Sequence, residues 1–308
     1  MKRAILGLLL YLVLSTAMAG PLRDYLREQR QIRDDAEWGE EADATQNKGL
    51  PEGSRVLRNL AYGENERQRM DVYLPPHPDK SPVIFMVHGG AWRTGDKGMG
   101  RVVDNKIAHW LPLGYIFVSV NYRLLPEADP LVQADDVRRA LIFAQNHARE
   151  WGGNPDAFVL MGHSAGAHLV SLINAVPRTA LAMGARPWRG VVSLDTAAMD
   201  IVATMQAKHY RFYDKAFGDD PSFWQAASPR HQIGSDAAPM LAVCSTKRPD
   251  HPCPATQDFA GQAKLVGARV EVMEQPLNHA EINGELGKDG RYTKRVEDFI
   301  SSLLPVAP

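Results

Sequence analysis

Five residues near the middle of the chain, Gly162-His163-Ser164-Ala165-Gly166, have the types and spacing to make a serine nucleophilic. The apolar run 157–161 before them has the length of a strand, and 167–173 after them reads as the first turns of a buried helix. A serine on a sharp strand-to-helix turn needs a strained backbone and small neighbours, hence glycine on both sides. Such a turn lifts the hydroxyl out of the sheet toward a substrate. The chemistry would be attack on a carbonyl carbon through a covalent acyl intermediate.

That attack leaves a negative oxygen, and a second motif is suited to hold it. The β-prone run 82–87 ends in His88-Gly89-Gly90-Ala91-Trp92. Paired glycines after a strand let the backbone approach a ligand closely and turn N–H groups toward it. The N–H groups of Gly89 and Gly90, with that of Ala165 after the serine, would make an oxyanion hole.

The serine also needs a base. His279 stands in the loop 276–281, after the last strand-like run, 269–273. His88 and His163 sit inside the glycine motifs, and His168 falls on the helix after the serine. His209, His231 and His251 precede the last strand. No H-E-x-x-H occurs, so a metal site is not expected. The base in turn needs an acid to hold its tautomer. Two aspartates follow apolar runs: Asp250 comes after 240–244, and Asp195 directly after 191–194. Asp258 falls in the next helical stretch and is a weaker candidate.

The elements around these residues form a regular series. Strands are expected at 56–60, 70–74, 82–87, 115–120, 157–161, 191–194, 240–244 and 269–273, and helices at 134–150, 256–266 and 292–304. Apolar strands alternating with helices imply an α/β fold, a mostly parallel central sheet with helices on both faces. The stretch of about 199–233 interrupts the series. It carries Tyr210, Phe212, Tyr213, Phe217 and Trp224, which suits a small cap over the site.

Residues 1–19 have the plan of a secretory signal peptide: Lys2-Arg3, an apolar core from Ala4 to about Leu14, and Ala17-Met18-Ala19 before Gly20. That core is short against the roughly 20 residues a membrane span needs, so no stable span is expected after cleavage. Residues 20–54 form a charged extension, and 55–308 the catalytic domain. Hydrophobic residues make up 44% of the chain, enough for an ordinary packed core, and a net charge of −1 gives no reason to expect nucleic-acid binding. The two cysteines, Cys244 and Cys253, would meet an oxidising compartment on export, where a bridge between them is expected.

With its motifs placed, the chain resembles the α/β-hydrolases of the esterase/lipase superfamily. It is most similar to the carboxylesterases and kynurenine-formamidase-like enzymes that carry an H-G-G-x-W motif. The residues that carry the likeness are His88-Gly89-Gly90-Ala91-Trp92, Gly95-Asp96-Lys97, Ser119-Val120-Asn121-Tyr122-Arg123-Leu124, Gly162-His163-Ser164-Ala165-Gly166 and His279. The resemblance implies an α/β-hydrolase fold, Ser164 as nucleophile, His279 as base, and Gly89, Gly90 and Ala165 as oxyanion donors. Trp92, Tyr122 and His163 are expected at the substrate pocket. The usual acid position lies after the strand 240–244, so Asp250 is expected ahead of Asp195. The family has a short G-x-x-D turn there, whereas this chain runs longer, from Cys244 to Asp250. A Cys244–Cys253 bridge would stiffen that loop by roughly 2–3 kcal/mol. The implied activity is hydrolysis of a small-molecule ester with no metal or organic cofactor. An arylformamidase is the alternative enzyme, and a non-catalytic binding protein on the same scaffold is the alternative of another class. Nothing in the sequence sets an oligomeric state.

Overall fold

The computed structural model describes residues 48–304. The leader read at 1–19, and the charged extension as far as 47, lie outside the described residues. The described residues form eight strands: β1 (Arg55–Ala61), β2 (Arg69–Leu74), β3 (Ser81–Val87), β4 (Ile116–Val120), β5 (Gly153–His163), β6 (Gly190–Leu194), β7 (Met240–Ser245) and β8 (Val270–Gln275). They form one sheet in the order β1-β2-β4-β3-β5-β6-β7-β8. The β1/β2 and β2/β4 pairs are antiparallel, and every pair from β4 to β8 is parallel. A parallel neighbour demands a crossover, and helices supply it.

Those crossovers are α1 (Gly100–Trp110), α2 (Pro130–His147), α3 (Ala165–Ala175) with the short α4 (Pro177–Ala182), and later α9 (Pro252–Leu265). Helix α2 starts at Pro130, ahead of the expected 134–150, on a local signal. The Asp129 carboxylate accepts the N–H groups of Leu131 and Val132, and Pro130 takes the first helical position. Two further helices close the chain, α10 (His279–Gly284) and α11 (Arg291–Leu303). The helix α1 is not among those expected from the sequence.

The sheet is covered on both faces, as alternation along its strands requires. Ile84, Met86, Val192, Leu194, Leu241 and Val243 point into one core, with Val102, Ile107 and Trp110 of α1 and Val296, Phe299 and Ile300 of α11. The opposite face meets α2, α3 and α9. Ser193 lies on that side, its hydroxyl within 3.2 Å of Ser171 in α3.

The segment read as a cap, about 199–233, consists of four short helices between β6 and β7. These are α5 (Ile201–Gln206), α6 (Arg211–Phe217), α7 (Pro221–Ala226) and α8 (Pro229–Gln232). Asp200 and Asp220 cap α5 and α7, and prolines open α7 and α8. Gly218, with φ of 58°, stands at the C-terminal end of α6.

Candidate active site

The C-terminal ends of β5, β6 and β7 lie level. His163 pairs with Leu194, and Leu194 with Val243. The next residues therefore emerge side by side: Ser164 after β5, Asp195 after β6. The Ser164 N–H donates to Leu194 O at 2.9 Å, and the Asp195 N–H to Val243 O at 2.8 Å. Both have positive φ, 54° and 57°. Two non-glycine residues in that region at adjacent strand ends mark strain concentrated in one place.

The glycines around Ser164 are required by contact. A Cβ at Gly162 would lie 2.3 Å from Gly166 O, and one at Gly166 would lie 2.2 Å from Val87 O and 2.4 Å from His88 O. The elbow thus presses directly on the end of β3, where the His88–Trp92 loop begins. Ala165 opens α3, and the first N–H groups of a helix have no acceptor within it. Gly90 has φ of 113°, which a side chain would not tolerate, and Ala91 and Trp92 also have positive φ. The loop is braced from below: the Tyr122 hydroxyl donates to His88 O at 2.9 Å, and its ring stacks on His88 at 4.6 Å.

His279 is placed by local sequence. Asn278 and Glu281 form a reciprocal capping box that starts α10 at His279. His163 Nε2 donates to His279 O at 3.0 Å, and the two rings are 4.4 Å apart. Ser245 Oγ donates to Leu277 O at 2.6 Å, tying the preceding loop to the end of β7.

The carboxylate on His279 is that of Asp195. His279 Nδ1 donates to Asp195 Oδ2 at 2.6 Å, and Asp195 Oδ1 accepts the Ser245 N–H at 2.8 Å. Asp250, the expected acid, does not make this contact. Its two oxygens accept Arg248 Nε at 2.9 Å and Nη2 at 2.5 Å. The reason is the arginine. Arg248 occupies the space between the two aspartates, holds Asp250 with one edge, and donates from Nη1 to Asp195 Oδ2 at 3.1 Å and Asp195 O at 3.0 Å. Asp195 is fully buried and His279 is 4% exposed.

Burial would raise the Asp195 pKa. The Arg248 charge, the His279 hydrogen bond and the Ser245 N–H outweigh it and hold this carboxyl well below the usual range. His279 is pushed down to about 4, first by burial, then by His163 and Arg248, with Asp195 opposing. The imidazole is therefore neutral at pH 7. Donation from Nδ1 to Asp195 makes that the protonated nitrogen, so Nε2 is the nitrogen that accepts a proton.

The three residues expected at the substrate pocket are all buried. Tyr122 supports the His88 loop, and His163 supports His279. Trp92 is enclosed by Phe212, Tyr213 and Phe217 of α6 and by His168, with ring centroids 4.9–6.3 Å away. His168 accepts from Trp92 Nε1 and donates from Nε2 to Ala227 O at 2.8 Å, so it joins the Trp92 loop to α7. The sequence did not single out Ser245 or Arg248. Arg248 in the loop after β7, two residues before Asp250, was the available signal. Among the described residues, no group of three or more His, Cys, Asp or Glu side chains could hold a metal ion.

The BD-FAE family model matches residues 70–185, which include both glycine motifs. The esterase LipQ of Mycobacterium tuberculosis is 27% identical over 268 residues, covering 80% of this chain and 62% of LipQ. A kynurenine formamidase of Salmo salar is 31% identical over 121 residues, 39% of each chain. The chain thus spans less than two thirds of the length of these relatives. Among solved structures, a truncated carbohydrate esterase from gut microbiota superposes with a TM-score of 0.71 at 19% identity, covering 83% of this chain and 99% of that one.

Proposed function

We propose that this chain, which is similar to the esterase/lipase-type α/β-hydrolases, is a serine hydrolase that cleaves small carboxylic esters through a Ser164–His279–Asp195 triad. The observation that carries this reading is the 2.6 Å bond from His279 Nδ1 to Asp195 Oδ2, at the strand end beside Ser164. In the first step His279 Nε2 takes the Ser164 hydroxyl proton as Oγ bonds to the ester carbonyl carbon. The carbonyl oxygen becomes negative and is held by the N–H groups of Gly89, Gly90 and Ala165. When the tetrahedral intermediate collapses, the bond to the alcohol oxygen breaks and His279 gives that oxygen its proton. Water then attacks the acyl-enzyme by the same route and releases the acid. The helices at about 199–233 act as the cap, since α6 packs its aromatic rings on Trp92 of the oxyanion loop.

Arylformamidase activity is a second reading, favoured by the formamidase relative. The bond broken differs, but the nucleophile and base do not. Paired assays with p-nitrophenyl acetate and N-formylkynurenine separate the two, and Ser164→Ala should lower kcat by several orders of magnitude on whichever is turned over. Near-normal turnover by the folded variant would remove the serine mechanism.

The protein is read as exported. This accords with the leader-like residues 1–19 and with the disulfide between Cys244 and Cys253. Among the described residues, no helix is long and apolar enough to cross a membrane.

A further inference from the structure

A serine, a histidine and an aspartate suffice for acyl transfer, yet this site holds a second ion pair against them. We infer that Arg248, oriented by Asp250, is a positioning residue of the Asp195–His279 pair: it shares Asp195 Oδ2 with the imidazole and weakens the carboxylate's hold on the imidazolium. The inference rests on the triad proposed above.

Geometry gives the first argument. Asp195 Oδ2 accepts two donors, His279 Nδ1 at 2.6 Å and Arg248 Nη1 at 3.1 Å. Arg248 Nη1 also lies 3.3 Å from His279 Nδ1. With Nδ1 protonated, both nitrogens carry hydrogen, so they compete for one oxygen and do not bond each other. Asp250 grips the Nε and Nη2 edge of the guanidinium as a two-point fork. That leaves the Nη1 corner directed at Asp195. A lysine could not hold both carboxylates in this way.

Charge gives the second. The side chains of Arg248, Asp195 and His279 are 3%, 0% and 5% exposed, so solvent screens them little. Asp250, Arg248 and Asp195 together carry one negative charge, which a protonated His279 would neutralise. Without the guanidinium the same groups would carry two, and the imidazolium would be held more tightly. The other groups facing this cluster are His163 at the end of β5, Tyr213 on α6 and Tyr292 on α11, with the Ser245 N–H on Asp195. The direction of the His279 shift agrees: Arg248 is among the groups that lower it.

The test follows His279 two ways in the wild-type protein and in Arg248→Gln, Arg248→Lys and Asp250→Asn. One readout is the NMR titration of the His279 ring. The other is the acid limb of kcat/KM for p-nitrophenyl acetate. Arg248→Gln should move both upward by about one pH unit or more. Asp250→Asn leaves the Arg248 charge less compensated and should move both downward. Arg248→Lys should stay closer to wild type in pH while losing kcat, because the charge is restored and the fork is not. A brace with no electrostatic role would lower kcat or thermal stability and leave the titration in place. Arg248→Gln and Asp250→Asn shifting in the same direction, or neither shifting, overturns the inference. If Arg248→Gln does not fold, Asp250→Asn decides alone, and an unmoved or raised titration refutes it. The NMR readout needs no turnover, so an inactive wild-type protein would defeat the proposed function and still leave this test readable.

Discussion

Replacing Asp195 by asparagine should lower kcat/KM about 10⁴-fold, the loss typical of a triad acid, whereas Asp250→Asn should cost no more than about tenfold. The geometry explains the size. Asp195 faces donors on both oxygens: the Ser245 N–H on one, and His279 Nδ1 and Arg248 Nη1 on the other. Asparagine has one acceptor oxygen. If that oxygen serves Ser245, an NH2 group confronts the imidazole, which must move its own proton to Nε2. It can then no longer take a proton from Ser164. Losing a charged hydrogen bond alone costs about 1.5–3 kcal/mol, or roughly ten- to two-hundred-fold. A 10⁴-fold loss is about 5.4 kcal/mol and requires the wrong tautomer as well. Asp250→Asn breaks no contact to His279 and leaves Arg248 bonded to Asp195. The assay is kcat/KM for p-nitrophenyl acetate on both purified variants, with circular dichroism to confirm folding. A 10⁴-fold loss for Asp250→Asn beside a near-normal Asp195→Asn would refute the reasoning.

Three other outcomes follow from the same geometry. Gly166→Ala would bring a Cβ to 2.2 Å from Val87 O and displace the loop that carries the oxyanion donors; a loss of about 10²–10³-fold in kcat is expected, checked by steady-state kinetics on folded protein. Neutral His279 is the active form and its pKa is pushed down to about 4, so activity should be retained as pH falls below 6.5 and drop only toward pH 4, as a pH profile of kcat/KM would show. The double change Cys244→Ser and Cys253→Ser should lower stability by about 2–3 kcal/mol in chemical denaturation and loosen the Arg248–Asp250 loop, while kcat falls far less than in Asp195→Asn.

How far the sequence discloses this site depends on the range of each interaction. Ser164, Gly162 and Gly166 are legible because the motif spans five residues, although the contact that demands glycine at 166 comes from Val87 and His88 at the end of β3. His279 is legible because it stands in the loop after the last strand, beside its own capping residues. The inner strands are legible because a sheet covered on both faces makes each of them an apolar run, whereas the edge strands β1 and β8 carry polar residues and are partly exposed. The choice between Asp195 and Asp250 is not local. It depends on β6 and β7 lying level, so that Asp195 and Ser245 meet, and on Arg248 engaging Asp250. The helix Gly100–Trp110 is hard to read because Lys106 interrupts its apolar face. That lysine is nevertheless buried, its charge spent on Arg101 O and on two oxygens of Asn283. The contacts of Trp92, Tyr122 and His163 are likewise not local, since His88 O, His279 O and the rings of α6 come from distant parts of the chain.

The most direct test of the proposed chemistry is to treat the folded protein with a fluorophosphonate and locate the adduct by tandem mass spectrometry. A single modification on Ser164 is expected, absent in Ser164→Ala and strongly slowed in His279→Ala. An unlabelled Ser164 in folded protein, or labelling that is indifferent to His279, would contradict it.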